Sequence, residues 1–184
     1  MYRILLVDDE PNIVSALKRA LSTIPAEKLD GERAEIEGFT SAHAALNRVS
    51  SISVDLLISD YGMPGMNGIE FLSQAIASQP NVARLILSGH ADLDVVVEAI
   101  NKLQIFRFIG KPWHDFELKS AVIQALAQRK MALENQRLAD LVRAQDDRLS
   151  RQTAALRRLE AESPGITRLK LDDDGSILIE DDDY

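Results

Sequence analysis

Five side chains have the types and placement to do chemistry at one point: Asp8, Asp9, Asp60, Ser88 and Lys111. Each lies at the end of a short apolar run and is followed by turn-forming residues, and the clearest case is Leu56-Leu-Ile-Ser-Asp60 running into Tyr-Gly-Met-Pro-Gly-Met-Asn-Gly68. Three crowded carboxylates repel one another unless something positive neutralises them. A hard divalent cation with oxygen ligands, such as Mg²⁺, does this well. Lys111 adds an ammonium and Ser88 a hydroxyl donor. A cation, an ammonium, a hydroxyl and an acceptor carboxylate are the parts that phosphoryl transfer needs to position and stabilise phosphoryl oxygens. An Asp can itself be the nucleophile, giving an acyl phosphate.

Elements that bring these residues together can be read from the periodicity. Short apolar runs bounded by turn signals predict strands over residues 3–7, 34–39, 54–59, 85–88 and 105–109. Between them, helical patterns start at Pro11, with an apolar face of Ile13, Leu17, Ala20, Leu21 and Ile24, then at Ser41 as a cap, at 69–78 and at 92–102. The polar stretch 25–33 reads as a loop. Five βα repeats in the first 125 or so residues imply a parallel sheet with right-handed crossovers. The runs ending at Val7, Ser59 and Leu87 are the most continuously apolar and so belong in the centre. Strand order 2-1-3-4-5 satisfies this, giving a flavodoxin-like, doubly wound five-stranded α/β sheet. In that order the carboxyl ends of the central strands place Asp8 and Asp9, Asp60 and Ser88 side by side, with Lys111 after the neighbouring fifth strand.

With Asp8-Asp9, Asp60-x-x-Met63-Pro64-x-x-x-Gly68, Ser88-Gly89 and Lys111-Pro112 in order, one at each expected strand end, residues 1–125 resemble the receiver domain of two-component response regulators. The resemblance implies that Asp60 is the phosphoacceptor. It implies that Asp9 and Asp60 hold Mg²⁺ with the Gly62 carbonyl, and that Asp8 acts through water. Ser88 and Lys111 would then bind phosphoryl oxygens, and Phe108 would be the switch aromatic. A sensor histidine kinase or a phosphotransfer protein would supply the phosphoryl group, and a downstream protein would read the result. Ser88 stands where Thr is commoner, and Gly62 and His90 fall at the two variable positions that tune phosphoryl lifetime in that family. The run Phe106-Arg-Phe-Ile-Gly-Lys-Pro-Trp113 is similar to receivers often attached to cyclic-dinucleotide phosphodiesterases. An aspartate-based phosphohydrolase is the alternative from enzyme chemistry, but that family carries a second Asp two residues after the nucleophile, where this chain has Gly62. A scaffold that no longer needs phosphate is a further alternative.

Composition narrows the classes. The chain has no cysteine, which excludes disulfides and thiolate metal sites and is compatible with a cytoplasmic location. No apolar run approaches transmembrane length, and the N-terminal apolar run is too short for a secretory leader. His43, His90 and His114 lack a ligand spacing such as His-x-x-x-His and read as exposed or capping residues, while Phe106 reads as core. The net charge of −8 is uneven: residues 1–128 carry −5, residues 129–170 carry +4, and residues 171–184 hold seven acids and no base. No segment has the dense basic patch of a nucleic-acid-binding domain.

Beyond the receiver the helical pattern continues without Pro or Gly across residues 113–163. From Gln128 a 3-4 spacing selects Met131, Asn135, Leu138, Val142, Gln145, Leu149, Gln152, Leu156 and Leu159, six of the ten positions being apolar. A sustained heptad predicts a left-handed coiled coil and a homodimer through residues 128–159. In the parallel reading Asn135 at an a position specifies register, while antiparallel pairing would also bury the seam but place the two receivers at opposite ends. The domain reading is therefore a receiver over 1–127, a coiled-coil helix continuous with it over 128–163, and an acidic tail over 164–184 with β-hairpin potential around Gly175. The expected function is that of a phosphorelay response regulator that signals through a switch surface and coiled-coil contacts, without a DNA-binding or enzymatic output domain.

Overall fold

The computed structural model describes residues 1–89 and 103–163. Five strands, β1 (Tyr2–Val7), β2 (Ala34–Phe39), β3 (Leu56–Asp60), β4 (Ala83–Ser88) and β5 (Arg107–Gly110), form one sheet in the order β2-β1-β3-β4-β5. Every neighbouring pair is parallel, with Ile4 opposite Leu56, Leu57 opposite Arg84 and Ile86 opposite Phe108. The helices are α1 (Pro11–Leu21), α2 (Ala42–Ser51), α3 (Gly68–Ser78) and the long α4 (Asp115–Glu162). The flavodoxin-like architecture expected from the repeats is the one observed. The expected helix over 92–102, His90, the hairpin and the acidic tail lie outside the described residues.

Local sequence explains where the elements start. Pro11 occupies the first turn of α1, where its missing N–H costs nothing. The Ser41 side chain accepts from the Ala44 N–H and caps α2. Asn67 and Glu70 form a reciprocal capping box at α3, with bonds of 2.9 and 3.1 Å. β3 begins two residues later than the apolar pattern suggests and takes in Asp60 as its last residue. The polar stretch read as a loop contains a 3-10 turn, Ala26–Leu29, whose Leu29 is buried in the core.

Alternation along the buried central strands divides the core between the two faces of the sheet. Ile4, Leu6, Ile58, Leu85 and Leu87 pack with α1 residues Leu17 and Leu21 and α4 residues Leu118 and Val122. Leu5, Val7, Leu57 and Ile86 pack with α2 residue Val49 and α3 residues Phe71 and Leu72. β2 and β5 are more exposed, as edge strands are. The chain divides into two compact units, Met1–Glu134 and Asn135–Tyr184. The described part of the second unit is helix, with Leu138, Leu141, Val142, Leu149, Leu156 and Leu159 exposed on it. Among the described residues, no helix is long and apolar enough to cross a membrane.

Gly68 packs the start of α3 against the end of β3. A Cβ at this position would lie 2.2 Å from the Asp60 carbonyl oxygen and 3.0 Å from its carbonyl carbon. Backbone on both sides cannot yield cheaply, so overpacking of about 1–3 kcal/mol is expected for Gly68→Ala. A fall in the urea midpoint with an unchanged m-value would confirm it, and wild-type stability would refute it.

Candidate functional site

Three strand ends and one loop build the site. Asp8 directly follows β1 and is fully buried. Its Oδ1 accepts from the Glu10 N–H at 3.0 Å, and its Oδ2 accepts from Lys111 Nζ at 2.7 Å. Asp60 closes β3, also buried, and its Oδ2 accepts from the Gly62 N–H at 2.8 Å. Lys111 Nζ pairs with Asp60 Oδ1 as well, so one ammonium bridges two carboxylates. Lys111 is placed by its own backbone, whose N–H donates to the Ser88 carbonyl at 2.8 Å just beyond the β4–β5 ladder. The Lys111–Pro112 peptide is cis. Ser88 is buried at the end of β4, where its hydroxyl donates to the Gly89 carbonyl at 3.0 Å.

Asp9, by contrast, is exposed. The neighbouring acids thus have different environments, because Asp8 turns into the site while Asp9 faces solvent. Phe108 is half-buried, opposite Ile86, two pairs before Ser88 and Gly110 and on the same face of the sheet. Of the residues singled out from the sequence, the fold therefore brings Asp8, Asp60, Ser88 and Lys111 together, sets Asp9 at the rim and leaves Phe108 two residues back from the strand end. His43 and His114 are exposed, and Phe106 packs against the core with Arg107 over its ring at 5.8 Å.

Electrostatics follow from burial. Removal from water pushes the Asp8 carboxyl above its ordinary value, outweighing the hydrogen bonds from Lys111 and Glu10 that favour its charged form. Burial pulls the Lys111 ammonium down, but its hydrogen bonds to Asp60 and Asp8 outweigh this and its pKa is raised. An ion pair ordinarily moves its acid down and its base up. Here the acid rises too, because Asp8 is wholly out of water and shares its cation with Asp60. Lys111 is therefore firmly protonated, and the pocket has more carboxylate than one ammonium can neutralise.

That donor set suits a hard cation in its chemistry: carboxylates of Asp9 and Asp60 and a peptide carbonyl at Gly62 are all oxygen. Among the described residues, however, no three His, Asp or Glu side chains already converge into a metal cluster. Lys111 fills the space between Asp8 and Asp60 instead. Two contributors were not legible from the sequence: the backbone N–H groups of Glu10 and Gly62, which carry no side-chain signature.

Comparison with known proteins agrees with this geometry. The family model of the response regulator receiver domain matches residues 4–123. The chain is 31% identical over 147 residues to the transcriptional regulatory protein FixJ of Bradyrhizobium diazoefficiens, covering 80% of this chain and 67% of FixJ. It is 30% identical over 123 residues to the hydrogenase transcriptional regulatory protein HoxA of Cupriavidus necator, covering 67% of this chain but only 24% of HoxA. Among solved structures, the signal receiver domain of an HD domain-containing protein from Pseudomonas fluorescens Pf-5 superposes with a TM-score of 0.63 at 34% identity, covering 71% of this chain and 98% of that one. A receiver model matched over most of the chain, a parallel sheet in the order β2-β1-β3-β4-β5 and acids and a lysine at the expected strand ends lead to one conclusion: the chain belongs to the response regulator receiver domain family.

Proposed function

We propose that the chain is a phosphorelay response regulator in which Asp60 is the phosphoacceptor, and the observation that carries this is one lysine bridging two buried strand-end carboxylates. In the transfer, an Asp60 carboxylate oxygen bonds to phosphorus while the P–N bond to the donor histidine of a sensor kinase or phosphotransfer protein breaks. The electron pair of that bond stays on the imidazole. Lys111 moves from carboxylate to phosphoryl oxygens, and the Ser88 hydroxyl donates to another. The Gly62 N–H holds Asp60 oriented. Asp9, Asp60 and the Gly62 carbonyl would hold Mg²⁺, with Asp8 acting through water. When bound, the metal neutralises charge on the transferring group. Drawing Ser88 inward vacates space for Phe108, which changes the surface around β5.

Acetyl phosphate with Mg²⁺ should place one phosphoryl group on the wild-type chain, mapped to Asp60 by peptide mass. Catalytic turnover of phosphate esters without a stable label would favour the phosphohydrolase reading instead. The proposed division of labour is a receiver over 1–127, a pairing helix over 128–163 and an acidic tail. The chain acts in the cytoplasm on a downstream protein. The relatives named as transcriptional regulators include longer proteins, such as HoxA, of which this chain spans 24%.

The helix supplies the second half of the reading. Leu149 and Leu156 are 52% and 54% exposed, in line with Leu138, Val142 and Leu159 at heptad spacing. A second copy aligned in parallel buries this seam leucine against leucine and pairs the Asn135 amides. Sedimentation should show a dimer at tens of micromolar. Leu149→Asp with Leu156→Asp should make it a monomer, because each would bury an unpaired charge. A wild-type chain that stays monomeric, phosphorylated or not, removes the coiled-coil half and leaves the chemistry standing.

A further inference from the structure

One guanidinium on α4 holds the strands of the site at their opposite ends. Arg129 Nη1 pairs with Asp55 Oδ1 at 2.6 Å, and Arg129 Nε donates to the Asn81 carbonyl at 2.9 Å. Asp55 immediately precedes β3, and Asn81 lies two residues before β4. Asp55 is itself tied into the sheet. Its Oδ2 accepts from the Arg3 N–H at 2.7 Å, its own N–H donates to the Arg3 carbonyl at 2.9 Å, and its carbonyl accepts from the Ala83 N–H at 3.0 Å. A single side chain of α4 thus reaches the start of β3 and β4, with β1 bound through the same aspartate. Arg129 and Asp55 are 16% and 19% exposed, so the pair is less screened than an ordinary surface pair. The next residue, Lys130, pairs with Asp30 at 2.7 Å, but both are well exposed and hold weakly.

From these starts β3 and β4 run to Asp60 and Ser88. At about 3.3 Å per residue, the five steps from Asp55 to Asp60 span about 17 Å. The two strands are buried and laddered to each other throughout, so they move as one stiff plate. We propose that Arg129 is the positioning residue that links the chemistry at Asp60 and Ser88 to α4: displacement of β3 and β4 reseats the guanidinium between Asp55 and Asn81 and so changes how firmly helix residues 127–134 are held. This rests on Asp60 being the phosphoacceptor. A modification shifts a conformational equilibrium only through a contact that differs between the states, and this grip is the contact in question.

Hydrogen exchange on the full chain, with and without acetyl phosphate and Mg²⁺, tests the link, with intact mass reporting phosphoryl incorporation on the same samples. In the wild type, phosphorylation should change exchange in residues 127–134 several-fold. Arg129→Gln should take up phosphoryl as the wild type does, exchange faster in this segment in both states, and lose the phosphorylation-dependent difference. Arg129→Lys, which can keep the Asp55 pair but not the Asn81 contact, should retain less than half of that difference. If Arg129→Gln fails to fold, the Lys variant decides alone, a full difference overturning the link. The link is also overturned if Arg129→Gln merely exchanges faster while the difference persists, or if labelled wild type shows no change in the segment. Absence of any label on the wild type overturns the phosphoacceptor assignment first, and the link with it.

Discussion

Asp60→Asn should take up no phosphoryl group under conditions that label the wild-type chain fully. An amide has neither the negative charge nor the basic oxygen lone pair that attacks phosphorus. The substitution is otherwise benign. The Asn carbonyl oxygen can still accept from the Gly62 N–H, which now holds Asp60 at 2.8 Å. Lys111 then serves Asp8 alone, one cation to one carboxylate, and the crowding of like charge is relieved. The variant should therefore melt at or above the wild-type temperature while remaining unlabelled by intact mass. Full labelling of Asp60→Asn would sink the assignment of the acceptor, and a collapsed variant would show that Asp60 is needed for folding.

Lys111→Ala should cost the most stability of any substitution at the site. Breaking a fully buried pair by removing one partner costs about 3–5 kcal/mol. Lys111 keeps 21% side-chain exposure, so water screens part of the deficit and about 2–3 kcal/mol is expected. The loss should depend on pH with a definite sign. Burial already holds the Asp8 carboxyl above its ordinary value with Lys111 present, and without the ammonium only the hydrogen bond from the Glu10 N–H opposes that rise. For an acid whose folded value lies above its unfolded value, stability is fully present below the unfolded pKa of about 3.9 and is lost as pH rises through the folded value. The gap between Lys111→Ala and wild type should therefore be small in mild acid and widen towards neutrality. Urea midpoints for both chains across that range would show it, and a gap independent of pH would mean that Asp8 is not the group left exposed to the loss. On the proposed mechanism phosphoryl uptake should be slower as well, because the ammonium would contact the transferred group.

Much of this site is written in local patterns. The acids, the serine and the lysine are legible because each interrupts an apolar run where a strand must end, and burial of both faces of β1, β3 and β4 makes those runs conspicuous. The strand order follows from the same contrast with the half-exposed β2 and β5. Other features rest on pairings that leave no local trace. Asp8 and Asp9 are adjacent and chemically identical, yet one is buried and the other exposed, because the chain turns between them. Leu29 sits in a polar segment too short to show a period, so its burial is invisible until the 3-10 turn places it. Arg129 looks like one more base on a charged helix, and its partners at Asp55 and Asn81 are too far away in sequence to be guessed.

The bridge from Lys111 to Asp8 spans 103 residues, and this bears on how the molecule is made. Parallel pairing in the order observed gives a high contact order, and such contacts repay their loop-closure entropy only late in folding. A chain in which β1, β3 and β4 have collapsed holds two strand-end carboxylates against each other with no cation between them. Docking of β5 brings the ammonium and, through the Lys111 N–H on the Ser88 carbonyl, fastens the last strand at the same spot. Docking of β5 thus joins the strand to the sheet and brings the cation to the acids in one step. Until β5 docks, the strand ends carrying Asp8 and Asp60 are the part of the sheet most opposed to closing.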